Sequence, residues 1–163
     1  MMPTRLIFDE KPFAEPTVIE VPPGIVSATS RHGGVTLEQL PAIFDAGFKK
    51  LALCNPIGPG FAVYLGDPQV TFDLVIGFPI AGRVSLDGVD EGEFPSGRAL
   101  VLSHIGGYDS LGAAWGRLMS SYVERSSGTA RLVAEVYVTD PSVTKADVLR
   151  TDLLVFANDL PGS

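Results

Sequence analysis

The stretch PPGIVSATSRHGGVTLEQL, from Pro22 to Leu40, is the most informative part of the sequence because a second stretch mirrors it. The second stretch, PSGRALVLSHIGGYDSLGA, begins at Pro95 and repeats the proline, glycine and serine positions at a sequence offset of 95 − 22 = 73. The blocks VYLGDPQVT from Val63 and VYVTDPSVT from Val136 are related by the same offset. One offset across two separate blocks predicts an internal repeat.

Each copy predicts the element order strand, helix, strand, strand. The first strand covers about Thr17–Thr29 in copy one and Ala99–Ser103 in copy two, and a Gly-Gly pair is expected to end it. Asp109 is the expected N-cap of the second helix, whose apolar residues recur at helical spacing. In copy one, Pro41 requires that the helix either begins near Leu40 or kinks.

The ends of the two copies differ in length. Matching the Asp-Leu pair at Asp73 with the one at Asp152 changes the offset to 152 − 73 = 79, so copy two carries six extra residues around KADVLR. We expect a longer hairpin or loop there. Asp67 and Asp140 each precede a proline and are expected in turns.

Two β-α-β-β units related by a pseudo-twofold axis predict an α+β fold. Their strands are expected to merge into a curved antiparallel sheet with two helices on one face. Repeat 1 covers about residues 17–80, repeat 2 covers about residues 95–157, and residues 1–163 are expected to form a single domain. The other face of the sheet would then be concave and hold a ligand between the repeats.

Composition narrows the class of function. The net charge is 12 − 19 = −7 without a Lys/Arg-rich stripe, which disfavours nucleic acid as a partner and favours cations. The sequence has neither an apolar run long enough to span a membrane nor a signal-peptide pattern, so we expect a cytoplasmic protein that does not contact membranes. With the lone cysteine Cys54 and no Cys/His cluster, we expect no disulfide, metal or cofactor.

The run LVLSHIGGYDSLGAAWGRL, followed by AEVYVTDP and TDLLVFA, resembles the GyrI-like effector-binding domain, which is also the C-terminal sensor of AraC-type and MerR-type multidrug regulators. The resemblance extends from about Thr17 to Ala157. It implies an aromatic-lined pocket between the two halves in which one buried carboxylate meets lipophilic cations, and Glu135 matches that carboxylate. Only a short segment precedes the repeat, so the chain resembles stand-alone members of the family.

The residues themselves also single out Glu135, since a carboxylate interrupts the strand-forming run LVAEVYV. Strand alternation places Glu135 and Tyr137 on one face of the sheet. The other face then carries Ala134, Val136 and Val138, and we expect this second set to face the helices.

The repeat relates Glu135 to Ala62 and Tyr137 to Tyr64, so the cleft is predicted to hold two symmetric tyrosines and one unpaired carboxylate. Tyr108, directly after a Gly-Gly pair, is expected at the mouth of the cleft. The predicted ligand-binding residues are Glu135, Tyr137, Tyr64, Tyr108 and Trp115.

Structural interpretations of the same residues stay open at this point. Glu135 could lie on a solvated strand face or pair with Arg131. Tyr64 and Tyr137 could be ordinary cross-strand packing, and Trp115 could belong to the helix core.

The leading hypothesis is a stand-alone protein that binds bulky aromatic, often cationic small molecules. The alternative is a hydrolase of cyclopropane-containing toxins, as one branch of the family implies, with Glu135 as general base and Tyr108 or Tyr137 donating a hydrogen bond. Haem carriage is a third option, because haem-binding SOUL-type proteins resemble this fold. However, the offset between His32 and His104 is 104 − 32 = 72, out of repeat register, and both are expected in loops or at the surface. Exposed edge strands would permit a homodimer.

Overall fold

One antiparallel sheet organises the chain. The computed structural model describes residues 6–66, 70–126, 130, 132–140, 143–157 and 160. Its strands are β1 (Thr17–Val21), β2 (Val26–Val35), β3 (Gly60–Gly66), β4 (Phe72–Pro79), β5 (Asp90–Glu93), β6 (Gly97–Ile105), β7 (Leu132–Tyr137) and β8 (Arg150–Phe156), and its helices are α1 (Leu40–Leu51) and α2 (Leu111–Arg125). The strand order is β1-β6-β8-β7-β3-β4-β2-β5. The predicted α+β fold with a curved antiparallel sheet and two helices is confirmed.

The order strand, helix, strand, strand occurs twice in the described residues, as β2-α1-β3-β4 and as β6-α2-β7-β8. The inner strands β3 and β7 pair with each other at the junction of the two halves, and Ala62 lies directly opposite Glu135. Their separation in sequence, 135 − 62 = 73, equals the offset of the predicted repeat. A twofold axis through this pair would explain the register, and superposition of the two halves stays a prediction.

The outer strands follow other offsets, contrary to prediction. One row of paired residues in the first half reads Ser30, Ile76 and Ala62, and the equivalent row in the second half reads Leu102, Leu153 and Glu135. The offsets are therefore 102 − 30 = 72 for the first strands and 153 − 76 = 77 for the last. Relative to the inner-strand offset of 73, the second half has four extra residues before its last strand, and not the six that were predicted. A β-bulge lies between His32 and Val35 in β2. Its extra residue accounts for the difference between the offset of 72 before the bulge and the offset of 73 that relates the two Gly-Gly pairs.

The segment predicted as one strand, Thr17–Thr29, forms two strands. β1 ends at Val21, and the following residues Pro22 and Pro23 lack the N–H groups that a strand ladder needs. β1 pairs with β6 of the second half, whereas β2 pairs with β4 of the first. The Gly-Gly pair of copy one lies within β2 instead of ending it, and Gly34 takes a left-handed φ of 60° that glycine adopts without strain.

Each helix follows a short 3₁₀ turn. α1 begins at Leu40 with Pro41 in its first turn, where a missing N–H breaks no helical hydrogen bond, so the helix that begins near Leu40 is the correct alternative. α2 begins at Leu111 after a turn of Tyr108–Ser110, so Asp109 lies within that turn and does not cap α2. Neither helix has the length and apolarity required for crossing a membrane, as judged over the described residues.

Both helices cover one face of the sheet, which we call the helix face. α1 packs against residues of β4 such as Leu74, and α2 packs against residues of β6 such as Leu102. Glu135 and Tyr137 point to the helix face, because Glu135 contacts Trp115 of α2. The expectation that the alternate set of β7 residues faces the helices is therefore wrong.

The opposite face, which we call the reverse face, is not an open concave surface. Ala134 and Val136 are buried there in an apolar cluster with Leu6 and Phe94, and Val138 packs against the same cluster. The N-terminal segment supplies part of this cover. Strand alternation identifies which residues share a face, but both faces of β7 are largely apolar and the sequence pattern does not decide between them.

A buried ion pair attaches the N-terminal segment to the reverse face. Arg150 makes two parallel hydrogen bonds to Asp152, Nε to Oδ1 at 3.0 Å and Nη2 to Oδ2 at 3.0 Å. Ser103 Oγ donates to Asp152 Oδ1 at 2.6 Å and accepts from Phe13 N at 2.8 Å. Arg150 Nη1 also donates to the carbonyl oxygen of Glu10 at 3.1 Å. The Asp152 charge is thus paired within the protein.

Candidate ligand-binding site

Glu135, on the inner strand β7, lies at the centre of a hydrogen-bonded cluster on the helix face. Its Oε1 accepts hydrogen bonds from the hydroxyls of Tyr64 at 2.9 Å and Tyr137 at 2.7 Å. Its Oε2 accepts one from Nε1 of Trp115 at 2.8 Å. The residue is only 7% exposed. Side chains from β3, β7 and α2 thus converge on one buried carboxylate at the junction of the two halves.

All three partners of this carboxylate are neutral. In the part of the chain that the structure describes, no lysine, arginine or histidine forms an ion pair with Glu135. Arg131, the alternative partner considered from the sequence, lies outside the described residues. Burial removes hydration from a carboxylate, and neutral donors replace it less well than a cation does. The site therefore favours a positively charged group.

The tyrosines of the cluster remain protonated donors over a wide range of pH. Burial, and then the negative charge of Glu135, raise the pKa of Tyr64 and of Tyr137 well above the usual value of 10.0. Burial, followed by the charges of Glu135 and Asp140, also raises the pKa of Tyr108. Neutral phenols can therefore hold the carboxylate without adding negative charge.

Aromatic rings surround these polar groups. The ring of Tyr137 meets Phe44 and Phe48 of α1 edge to face, with centroid separations of 6.0 Å and 5.9 Å. The ring of Tyr108 meets that of Tyr137 edge to face at 6.1 Å, and Tyr108 is 42% exposed, so it lies at the solvent-facing edge of these rings. We call Phe44, Phe48, Tyr64, Tyr108, Trp115 and Tyr137 the aromatic cluster.

The structure brings all five predicted ligand-binding residues together. Four share direct hydrogen bonds, and Tyr108 lies one ring further out. Their contact with a ligand stays a prediction. Phe44 and Phe48 were not predicted, although their i, i+4 spacing on α1 was a signal that both point to the same side. Thr151 of β8, which pairs with Tyr137 of β7, was also not predicted to lie beside these residues.

The two histidines, which were expected in loops or at the surface, are half-buried residues of strands. His32 in β2 has Nε2 at 2.8 Å from Ser30 Oγ, and His104 in β6 has Nε2 at 2.9 Å from the carbonyl oxygen of Gly107. Their separation in sequence equals the offset of the first strands, so they occupy equivalent rows in the two halves. Among the described residues, no group of three or more His, Cys, Asp or Glu side chains could hold a metal ion.

A shallow groove of about 660 Å³ lies elsewhere, between Pro16 and the outer surface of α2. Its lining includes the side chains of Glu15, Arg117 and Arg125, which are exposed. Exposed charges of this kind bind ligands weakly because water and salt screen them. The buried cluster around Glu135 is the better candidate on chemical grounds.

A sequence model of the GyrI-like small molecule binding domain matches residues 15–155. The chain belongs to the GyrI-like family. The match spans both halves of the sheet and every residue of the aromatic cluster, so the candidate site lies wholly inside the GyrI-like domain. None of the curated proteins matches the chain significantly in sequence.

Solved structures share this GyrI-like fold at low sequence identity. The EcmrR C-terminal domain aligns with a TM-score of 0.71 at 14% identity, over 91% of this chain and 98% of that one. SAV2435 bound to tetraphenylphosphonium aligns with a TM-score of 0.62 at 10% identity, over 86% and 92%. A hydrolase from Listeria innocua aligns with a TM-score of 0.56 at 14% identity, over 90% and 93%. At these identities the likeness shows the fold alone.

Proposed function

We propose that this GyrI-like domain binds bulky aromatic, often cationic small molecules at Glu135, between the two halves of the sheet. One observation carries the proposal: a 7% exposed carboxylate, held by three neutral donors, has no cationic partner in the described structure. A charge buried in this way is costly to the protein. A ligand cation would offset that cost.

The aromatic cluster adds a second source of affinity for the same class of ligand. A cation within about 6 Å of a Trp or Tyr ring gains about 0.5–2 kcal/mol from the ring quadrupole. Trp115, Tyr64 and Tyr137 each already touch the carboxylate, so a cation near Glu135 would also lie near their rings. Aromatic groups of the ligand would stack against the remaining rings.

A ligand has to displace side chains of the cluster before it reaches Glu135, because the protein's own rings cover the carboxylate. Tyr108 is the most exposed member and contacts Tyr137 only edge to face. We therefore expect Tyr108 to move first and Tyr137 to follow. The free energy of this opening subtracts from the binding energy, which fits a sensor or sink of modest affinity.

The complex of SAV2435 with tetraphenylphosphonium supports the proposed class of ligand, because a protein of the same fold binds a bulky lipophilic cation. We expect this chain to bind a rhodamine-type cation with a Kd in the micromolar range, about −8 kcal/mol. Fluorescence polarisation of the dye measures it. Absence of saturable binding up to millimolar protein would overturn the proposal.

Hydrolysis at the same site is a second candidate, favoured by the 2.7 Å contact between the Tyr137 hydroxyl and Glu135. Glu135 would take a proton from water while the water oxygen bonds to an electrophilic ring carbon and the ring C–C bond at that carbon breaks. Tyr137 would turn its hydroxyl to stabilise the negative charge left by the released electron pair, and Glu135 would then return the proton to the released carbon, so that water adds across the opened bond. Two solved structures of similar fold are described as hydrolases from Listeria innocua. Incubation with a cyclopropane-bearing alkylator decides: catalytic turnover supports the hydrolase, and stoichiometric binding without product supports the sink.

A further inference from the structure

Thr151 of β8 has a feature that the proposed site does not explain. The residue is 0% exposed, and its hydroxyl has no hydrogen-bond partner among the described residues. A buried hydroxyl without a partner destabilises a folded protein, and such groups are rare in native structures. A valine would fill the same volume without that cost. A hydrogen-bond partner supplied by a ligand would account for the presence of this hydroxyl.

The strand register places this hydroxyl next to the candidate site. Thr151 pairs with Tyr137 on one side and with His104 on the other. The next residue of β8 on the same face is Leu153, which pairs with Glu135. Thr151 is therefore a diagonal neighbour of Glu135 on the helix face, and residues in that relation lie about 7–8 Å apart.

The polar groups beside Thr151 are already engaged. The Tyr137 hydroxyl donates to Glu135 at 2.7 Å, and His104 Nε2 lies 2.9 Å from the carbonyl oxygen of Gly107 and 3.0 Å from Ser110 Oγ. Tyr137 covers Thr151 on the β7 side, and it is also a ring that a ligand displaces on its way to Glu135. Its displacement would uncover the threonine hydroxyl in the wall of the opened site.

We infer that Thr151 is a further ligand-contacting residue, whose hydroxyl hydrogen-bonds a neutral polar group of the ligand. This inference rests on the proposed function and narrows its ligand class. The preferred ligand is an aromatic cation that also carries an ether, carbonyl or amine group roughly 7 Å from its positive centre, on the scale of the diagonal spacing. A purely hydrocarbon cation binds without using Thr151.

The experiment compares two probes on Thr151→Val and Thr151→Ser. Tetraphenylphosphonium has no hydrogen-bonding group, whereas a rhodamine-type cation carries ether, amine and ester groups. We expect Thr151→Val to weaken the rhodamine about tenfold, equal to about 1.4 kcal/mol, and to leave tetraphenylphosphonium within twofold of wild type. Thr151→Ser keeps a hydroxyl and should retain most of the rhodamine affinity.

Stability supplies an independent readout. Thr151→Val should raise the urea midpoint of unfolding, because the variant removes an unpaired hydroxyl. Thr29→Val is the matched control: Thr29 is a buried threonine of the reverse face whose hydroxyl donates to the carbonyl oxygen of Asp90 at 3.3 Å. The control should lower the midpoint and change neither affinity.

The remaining outcomes contradict the inference about Thr151, the proposed function, or both. If wild type binds neither probe, the proposed function and this inference both fall. If wild type binds both probes and Thr151→Val weakens neither, or both equally, the inference is wrong while the proposed function stands. A lower urea midpoint for Thr151→Val would show that the hydroxyl already has a partner, which also overturns the inference.

Discussion

Two buried carboxylates lie next to each other in the sheet and face opposite ways. Asp152 points to the reverse face, where Arg150 binds it through two 3.0 Å hydrogen bonds and both side chains are at most 7% exposed. Glu135 points to the helix face and receives only neutral donors. The first charge is neutralised inside the protein and stabilises the attachment of the N-terminal segment. The second has no cationic partner among the described residues, which is the basis of the proposed cation site.

The two carboxylates are expected to affect different properties of the protein: Asp152 its stability and Glu135 its ligand binding. Removing a partner of Asp152 should damage the fold and spare ligand selectivity, because the reverse face lies on the other side of the sheet from the aromatic cluster. Removing the charge of Glu135 should do the opposite. Residues that hydrogen-bond Glu135 should fall between the two, since they support the closed site and would also contact the proposed ligand.

The largest expected loss of stability follows Arg150→Met. The variant leaves Asp152 buried without its cation, and breaking a buried pair in this way typically costs about 3–5 kcal/mol. Urea unfolding measures the loss. Arg117→Met is the control, because Arg117 makes an exposed 3.5 Å ion pair with Glu15 that is worth about 0–1 kcal/mol. Equal losses in the two variants would show that the buried pair is not a structural attachment.

A smaller loss is expected for Tyr137→Phe. The variant deletes a 2.7 Å hydrogen bond to a charged group, a type of bond worth about 1.5–3 kcal/mol. Tyr108→Phe is the control, because in the described part of the chain the Tyr108 hydroxyl makes no hydrogen bond and the ring is 42% exposed. Urea unfolding of both proteins checks this. An unchanged stability of Tyr137→Phe would mean that Glu135 does not depend on this donor.

The smallest expected effect appears at alkaline pH. The folded state holds the pKa of Tyr64 and Tyr137 well above 10.0, so their stabilising effect is complete below about pH 10, the pKa of an unfolded tyrosine. As the pH rises toward the folded values, each residue should lower the unfolding free energy by about 1.4 kcal/mol per pH unit. Unfolding curves from pH 9 to 11 test this, and replacing both tyrosines by phenylalanine should flatten the slope.

Much of the candidate site could be predicted from the sequence because it depends on local pattern. Strand alternation put Glu135 and Tyr137 on one face, and the repeat related them to Ala62 and Tyr64. The register then places Ala62 directly opposite Glu135. These inferences needed only the period of a strand and one constant offset, and the pairing of Ala62 with Glu135 agrees with that offset at the inner strands.

The remaining features depend on tertiary packing. Both faces of β7 are lined by apolar residues, so the pattern alone did not show that the helices cover Glu135 and that the N-terminal segment covers Ala134. The split of Thr17–Thr29 into two strands depends on pairing of β1 with the other half. The unpaired hydroxyl of Thr151 is visible only once its neighbours are placed.

The most direct test of the central claim is isothermal titration calorimetry of wild type and Glu135→Gln with a cationic ligand and a neutral ligand of the same shape. Glu124→Gln, an exposed position on α2, serves as the control for loss of one negative charge. If Glu135 meets the ligand cation directly, Glu135→Gln should lose about 2–5 kcal/mol of binding free energy for the cation and change little for the neutral ligand. Equal affinities of wild type and Glu135→Gln for the cation would contradict this direct contact.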